Sequence, residues 1–278
     1  MQVEHVHGFR VARLAETTST NTVVAAEARR GAPEGLVVVA DFQSAGRGRF
    51  ERSWEAPRGT ALLFSVLFVP ARAGLSRERW HLAVAALSLA LAKAAQRLSG
   101  AQLVLKWPND LLGVDGRKVA GVLAEVSGEA LVVGAGVNVH WAPEGAASLD
   151  ELAGAPVDRD ALLEGVLREL RGLYGSWQEV ATLYRELLAT TGQEVVVSLA
   201  GAVPGTCDDG PRPGRQGAAP KGATGQLRGR AVGVTEEGAL VLENQDGSLV
   251  QVAAGDVEHL RPIGAQWAKG PMGEGLKG

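Results

Sequence analysis

The chain has 278 residues and a formal net charge of −3, enough length for one large or two smaller domains; 46% hydrophobic against 21% charged residues marks it as globular rather than disordered. A single cysteine, Cys207, excludes an internal disulfide and a cysteine-based zinc site, and the mildly acidic balance gives no bulk attraction to nucleic acid or anionic membrane. The longest apolar runs, residues 61–69 broken by Ser65 and residues 82–92 broken by Ser88, fall short of the ~17 residues that span a bilayer, and the opening Met-Gln-Val-Glu-His lacks a signal peptide's order, so a reducing, cytoplasmic setting and no membrane partner are expected.

In chain order, residues 9–14 read as a first strand. Ser19, Thr20 and Asn21 offer capping oxygens for a helix over 22–30, stopped by Gly31 and Pro33. A β-branched run at 36–40 is a buried strand that enters a polar, glycine-bearing loop at 43–60. A strand at 61–69, broken by Ser65, precedes a helix over 77–98 that Gly100 stops. Short strands follow at 103–105, 111–114 and 119–126, the last two flanking the hairpin signal Asp115-Gly116, and another at 130–139. Helices are predicted at 159–174 and 178–188. From Gly192 only short strands remain, at 194–199, 227–234, 239–243 and 249–253, which makes a barrel-like module of about five strands. The expected division is therefore an α/β domain over 1–190, a β domain over 191–265 carrying a flexible Gly/Pro insert at 201–225, and a tail at 266–278. There is no internal repeat.

Composition sharpens the search for chemistry. The chain has 22 arginines but only six lysines and four asparagines, so positions of Lys and Asn carry information. Gly46-Arg47-Gly48-Arg49 with Trp54 follows a buried strand; glycines let backbone N–H groups approach an anion and arginines add forked donors, which suits a phosphate or carboxylate. A solvated basic loop is the alternative, and neither common nucleotide-binding glycine motif is matched. Lys106-Trp107-Pro108-Asn109-Asp110 sits at a strand end, where Asp110 suits Mg²⁺ and Lys106 a phosphate, against a plain Asn-Asp turn beside a packing Trp. Lys118 opens the returning strand in Arg117-Lys118-Val119-Ala120-Gly121, where an edge charge is the ordinary reading. Gly134-Ala135-Gly136-Val137-Asn138 puts glycines inside a strand, the mark of a bulge, a strained turn or a close ligand. Three of the four asparagines (21, 109 and 138) fall in these motifs. The histidines form no ligand set and no Gly-x-Ser-x-Gly elbow occurs; Cys207 has no reason to be a nucleophile, and Trp80, Trp141 and Trp177 read as core.

Together these motifs, in order and spacing across about residues 10–140, resemble the biotin protein ligase family (biotin–[acetyl-CoA-carboxylase] ligases). The resemblance implies an α+β fold: a mixed central sheet with flanking helices, then a small SH3-like β-barrel. It implies two half-reactions. Biotin and Mg-ATP give biotinyl-5′-adenylate and pyrophosphate, and the biotinyl group then passes to a lysine of a biotin carboxyl carrier domain. By motif match, Ser19, Thr20, Asn21, Gln43, Gly46, Arg47, Gly48, Arg49, Lys118 and Gly121 would bind biotin. Arg49, Trp54, Lys106, Asn109, Lys118 and Asn138 would bind ATP, and Asp110 the Mg²⁺. Lys118, Arg47 and Arg49 would be the catalytic cations, because a carboxylate attacking a phosphate brings two anions together.

Two departures from the family pattern stand out. The chain reads Phe50-Glu51-Arg52 where members often have a glycine, so Glu51 would stiffen the loop. The stretch before the first motif is too short for a DNA-reading helix-turn-helix, which implies the monofunctional type with no DNA partner. Family members often pair through the central sheet, a prior for a homodimer. A lipoate or octanoyl ligase is the rival enzyme, and a non-catalytic binder of biotinyl-adenylate or nucleic acid the rival from another class.

Overall fold

The computed structural model describes residues 3–50, 52–199, 217–218 and 225–259. The Gly/Pro insert with Cys207, Glu51 and the tail therefore lie outside the described residues, apart from the two-residue strand at 217–218 and Gly225.

An eight-stranded mixed sheet forms the larger layer. Its strands are β1 (Val3–Val6), β2 (Phe9–Leu14), β3 (Leu36–Ala40), β4 (Ala61–Phe68), β5 (Leu103–Lys106), β6 (Asp110–Gly113), β7 (Lys118–Ser127) and β8 (Ala130–Asn138), in the order β1-β2-β3-β4-β8-β7-β6-β5. Only β2 and β3 run parallel. A parallel pair needs a crossover, and α1 (Thr20–Arg29) supplies it. Central β4 is buried at every position, which explains why its sequence is a near-continuous apolar run rather than an alternating one.

The opposite face carries α2 (His81–Ser99), α4 (Arg159–Leu173) and α5 (Trp177–Leu187), with the one-turn α3 (Leu149–Ala153) before α4. Leu82, Leu87, Leu89 and Leu91 of α2 are at most 2% exposed, each contributing about 1.5–3 kcal/mol relative to exposure. Gly100, left-handed at φ 74°, ends the helix. With the turn before it, Arg77–Ser99 has the length and hydropathy of a membrane span by composition alone, but 67% of that window is buried inside the protein. It is a core helix.

A second, six-stranded sheet holds β9 (Glu194–Leu199), β10 (Gly217–Ala218), β11 (Gln226–Val234), β12 (Leu240–Glu243), β13 (Leu249–Val252) and β14 (Gly255–His259), ordered β10-β13-β12-β11-β9-β14. The expected fold class holds, with differences in detail. Strands β1, β10 and β14 and helix α3 are additional to the sequence reading, β10 falling within the expected flexible insert. The predicted helix over 77–98 begins instead with a 3₁₀ turn at Arg77–Arg79. Trp80 is buried and Trp177 partly so, but Trp141 is 36% exposed and is not a core residue. It follows the end of β8, where the sheet no longer covers it.

Candidate active site

The first helix begins two residues earlier than its propensities suggest. Ser19 takes the N-cap position in extended geometry but makes no side-chain cap bond. The capping oxygen comes from another segment: Gln43 Oε1 accepts from the Thr20 backbone N–H at 2.7 Å and from its hydroxyl at 3.0 Å. A remote acceptor thus satisfies one of the helix's orphan donors and draws the glycine–arginine loop onto the helix start. Ser19, Thr20 and Asn21 are all buried.

Beneath them, Ser65 of β4 is fully buried; its Oγ donates to Asn21 Oδ1 at 2.6 Å and lies 2.7 Å from Thr20 Oγ1. Sequence reasoning passed over Ser65. The available signal was its polarity inside an apolar strand, because a buried hydroxyl requires a partner.

The loop folds back on itself. Gly48 N–H donates to Arg52 O at 2.7 Å, and Trp54 N–H to Gly46 O at 2.9 Å. A Cβ on Gly46 would press on the Trp54 backbone and Gln43, so the glycine is required by close approach. Phe50 takes φ 53°, in the left-handed region that bulky residues avoid. The Trp54 indole lies across β7 and β8: a Cβ on Gly121 would come 3.1 Å from Trp54 Cζ3, and one on Gly136 would come 2.7 Å from its Nε1. Glycines in these strands are therefore a seat for the ring.

Around that seat a cavity of ≈ 110 Å³ is lined by Ser19, Thr20, Asn21 and Gln43, by the loop, and by Asn109, Asp110, Lys118 and Gly121. This is smaller than the roughly 300–1,000 Å³ of sites that enclose drug-sized ligands, and the Trp54 indole is part of its wall. Lys118 Nζ pairs with Asp110 Oδ1 at 2.7 Å and sits 5.6 Å from the centre of a Trp54 ring. Arg49 Nη1 donates to Gly255 O at 3.0 Å and lies 3.5 Å from Asn109 Oδ1. Burial lowers the Arg49 guanidinium pKa below the ordinary arginine value, and the charges of Asp256 and Asp110 work the other way.

Asp256, from the second sheet, also lines the cavity and pairs with Arg52 at 2.5 Å. Nothing local in the sequence points to it, since it reaches the loop only through the packing of two sheets.

Other predicted site residues have their side chains engaged by the protein itself or stand outside the wall. Arg47 lines the rim, but its Nη2 pairs with Glu125 at 2.9 Å. Asn138 is 2% exposed, outside the cavity wall, and its Nδ2 donates to Ala147 O at 3.2 Å and to Lys118 O at 3.4 Å. Lys106 ends β5 and is not part of the wall. Trp107 is core, its indole N–H donating to Gly238 O of the second sheet's β11–β12 turn.

A mixed sheet with a glycine–arginine loop over a small-residue floor defines a class of acyl-activating ligases, and the comparisons agree. Residues 14–141 match the Biotin/lipoate A/B protein ligase family, and residues 220–260 match the Biotin protein ligase C terminal domain. The chain is 35% identical over 264 residues to the biotin–[acetyl-CoA-carboxylase] ligase of Mycobacterium tuberculosis, covering 89% of this chain and 88% of that one. It is 27% identical to the bifunctional ligase/repressor BirA of Bacillus subtilis, over 87% of this chain and 71% of that one. Its fold matches the biotin protein ligase of Aquifex aeolicus solved with biotin and ATP, with TM-score 0.69, 25% identity, and coverage of 89% and 97%. The chain belongs to the biotin protein ligase family.

Proposed function

We propose that this protein activates biotin with ATP to biotinyl-5′-AMP and transfers the biotinyl group to a lysine of a biotin carboxyl carrier domain. The observation that carries the reading is the convergence of five separated segments on one cavity: Ser19–Asn21, Gln43, the loop residues Arg47–Phe50 and Arg52–Trp54, Asn109–Asp110 and Lys118 with Gly121. The neutral polar groups of the first two suit a urea-like ring, and the cations suit its acid tail and a phosphate.

In the first step a carboxylate oxygen of biotin attacks the α-phosphorus of ATP and pyrophosphate leaves. Two anions must meet, so Lys118 and Arg49 offset their repulsion and the charge developing in the transition state. In the second step the neutral amine of the carrier lysine attacks the anhydride carbonyl, the C–O bond to AMP breaks, and the amine loses its proton. The loop over the cavity, pinned to the second sheet through Arg49 and Arg52, keeps water from the anhydride.

Asn109 with Asp110 would border the triphosphate, and Trp54, which also lines the cavity, would contact the nucleotide. A magnesium ion fits the donor set. Asp110 and Asp256 bring two carboxylates to the wall, and Mg²⁺ is ordinarily held by one or two carboxylates together with substrate phosphates. Among the described residues no three or more His, Cys, Asp or Glu side chains group as a metal cage. Bound there, it would neutralise phosphate charge.

The test is labelled biotin, ATP and Mg²⁺ with a purified carrier domain. Label should appear on one carrier lysine, with pyrophosphate release dependent on biotin. Turnover with lipoate and none with biotin would overturn the reading.

A further inference from the structure

One carboxylate behind the cavity joins elements that the sequence keeps far apart. Glu125, on β7, does not line the cavity. Its Oε2 accepts from Asn21 Nδ2 at 2.7 Å and from Arg47 Nη2 at 2.9 Å. Asn21 Nδ2 also reaches Leu123 O at 3.3 Å, and Arg47 Nη2 lies 3.2 Å from Thr22 Oγ1.

The arrangement fixes two things at once. An Asn side chain is ambiguous by shape, and its neighbours decide which end donates. Here the amide nitrogen faces Glu125 and a carbonyl, while the oxygen faces the Ser65 hydroxyl. Without the carboxylate, the amide would be oriented by the longer 3.3 Å bond to Leu123 O and by the Ser65 hydroxyl, which can itself turn from donor to acceptor, so its polarity beside Thr20 would be set less firmly. Arg47 in turn is tied at the loop's first arginine by a charge-assisted bond, stronger than a neutral one. Its guanidinium is thereby engaged away from the reacting centre.

We infer that Glu125 is a positioning residue that sets the Asn21 amide at the cavity floor and holds Arg47 as the anchor of the binding loop. The inference rests on the biotin-activating reading above. It departs from the role the family resemblance implies for Arg47, since it makes Arg47 a support for the loop rather than a contact of the carboxylate or phosphate.

The experiment is biotin-dependent ATP–pyrophosphate exchange by the full-length wild type and by Glu125→Gln, Arg47→Ala and the double variant. Absence of exchange in the wild type would defeat the functional reading itself, independently of Glu125. Given wild-type exchange, Glu125→Gln should raise the biotin KM about tenfold, leave kcat within about threefold and leave the ATP KM unchanged. In the Arg47→Ala background the same change should cost clearly less, because the two residues share one bond. A wild-type biotin KM, a loss confined to kcat or to the ATP KM, or single effects that multiply in the double variant would each overturn the inference. If Glu125→Gln does not fold, Glu125→Asp, which keeps the charge but shortens the reach, is judged by the same KM-against-kcat split.

Discussion

Lys118 Nζ and Asp110 Oδ1 stand 2.7 Å apart across the β6–β7 hairpin, with the lysine side chain 40% exposed and the carboxylate 17%. The hairpin brings them together through a register shift between Leu111 and Leu112, so that Asp110 faces Gly121 while Leu112 faces Lys118. The shift aims Lys118 across the strand at Asp110 and the cavity instead of along the sheet edge. This is why a hairpin lysine, ordinarily a solvated charge, lies among reacting groups here.

Lys118→Ala is expected to lower single-turnover adenylate formation by about 10²–10³, the usual consequence of removing a transition-state charge partner. Biotin affinity should stay within about threefold, because the ground-state acid needs that charge less. Rapid-quench measurement of biotinyl-AMP beside calorimetric biotin binding checks both. An unchanged adenylation rate would remove Lys118 from the reacting junction.

The glycine floor makes a separate prediction. A Cβ at Gly136 would stand 2.7 Å from Trp54 Nε1 and 2.8 Å from Cδ2. The indole belongs to a loop, so it can move where a packed core cannot. Gly136→Ala is therefore expected to spare stability, with a cost below the ~1–3 kcal/mol of core overpacking, and to displace the ring. The ATP KM should rise about tenfold while the biotin KM holds. Steady-state kinetics with each substrate varied, alongside a thermal melt, decides it. An unchanged ATP KM would mean that the indole's seat has no part in nucleotide binding.

How much of this could be read beforehand depends on the range of the interaction. The strands of the larger sheet follow from apolar runs and from the Asp115-Gly116 turn, where Gly116 adopts φ 85°. The motif residues at 19–21, 43, 47–49, 109–110, 118 and 121 do meet at one cavity, because the start of α1, the loop after β3 and the β6–β7 hairpin border the same space. Ser65, Glu125 and Asp256 were not legible as site residues. Their importance lies in contacts made across sheets and over tens of residues, and no local pattern records such a contact. Asn138 shows the converse: its position in a recognisable motif is plain, yet its side chain brackets the backbone at Ala147 and Lys118.

The loop's tie to the second sheet can be separated into its parts by magnitude. The Arg52–Asp256 pair has side chains 66% and 34% exposed, and such pairs contribute about 0.2–1 kcal/mol. The Arg49 bond to the Gly255 carbonyl is more sheltered. Arg49→Gly is therefore expected to change global stability little but to free the loop, releasing biotinyl-AMP into solution about tenfold faster and labelling lysines outside the carrier. Mass spectrometry of a bystander protein in the reaction reads this directly. Tight, carrier-only transfer by the variant would show that the loop is not the seal.

His81 opens α2 beneath the Glu237–Gly238 turn, where a Cβ on Gly238 would meet its ring at 2.6 Å. Burial is the main cause that pushes its imidazole from 6.5 down to about 4; Arg79 and Arg185 act in the same direction, while Glu237 and a backbone bond at Glu78 oppose them. The sign follows from proton counting. Between those two values the unfolded chain binds a proton at this site that the folded chain does not, so stability rises with pH. The contribution is complete above about pH 6.5 and lost as pH falls toward 4, amounting to at most about 3 kcal/mol for a shift of that size. Urea unfolding at pH 7.5, 6 and 4.5 should give midpoints that fall with acidification, and His81→Gln, which cannot titrate, should show a shallower fall. Parallel slopes for the two proteins would place the acid sensitivity in other groups and mean that His81 takes up its proton equally in the folded and unfolded chain.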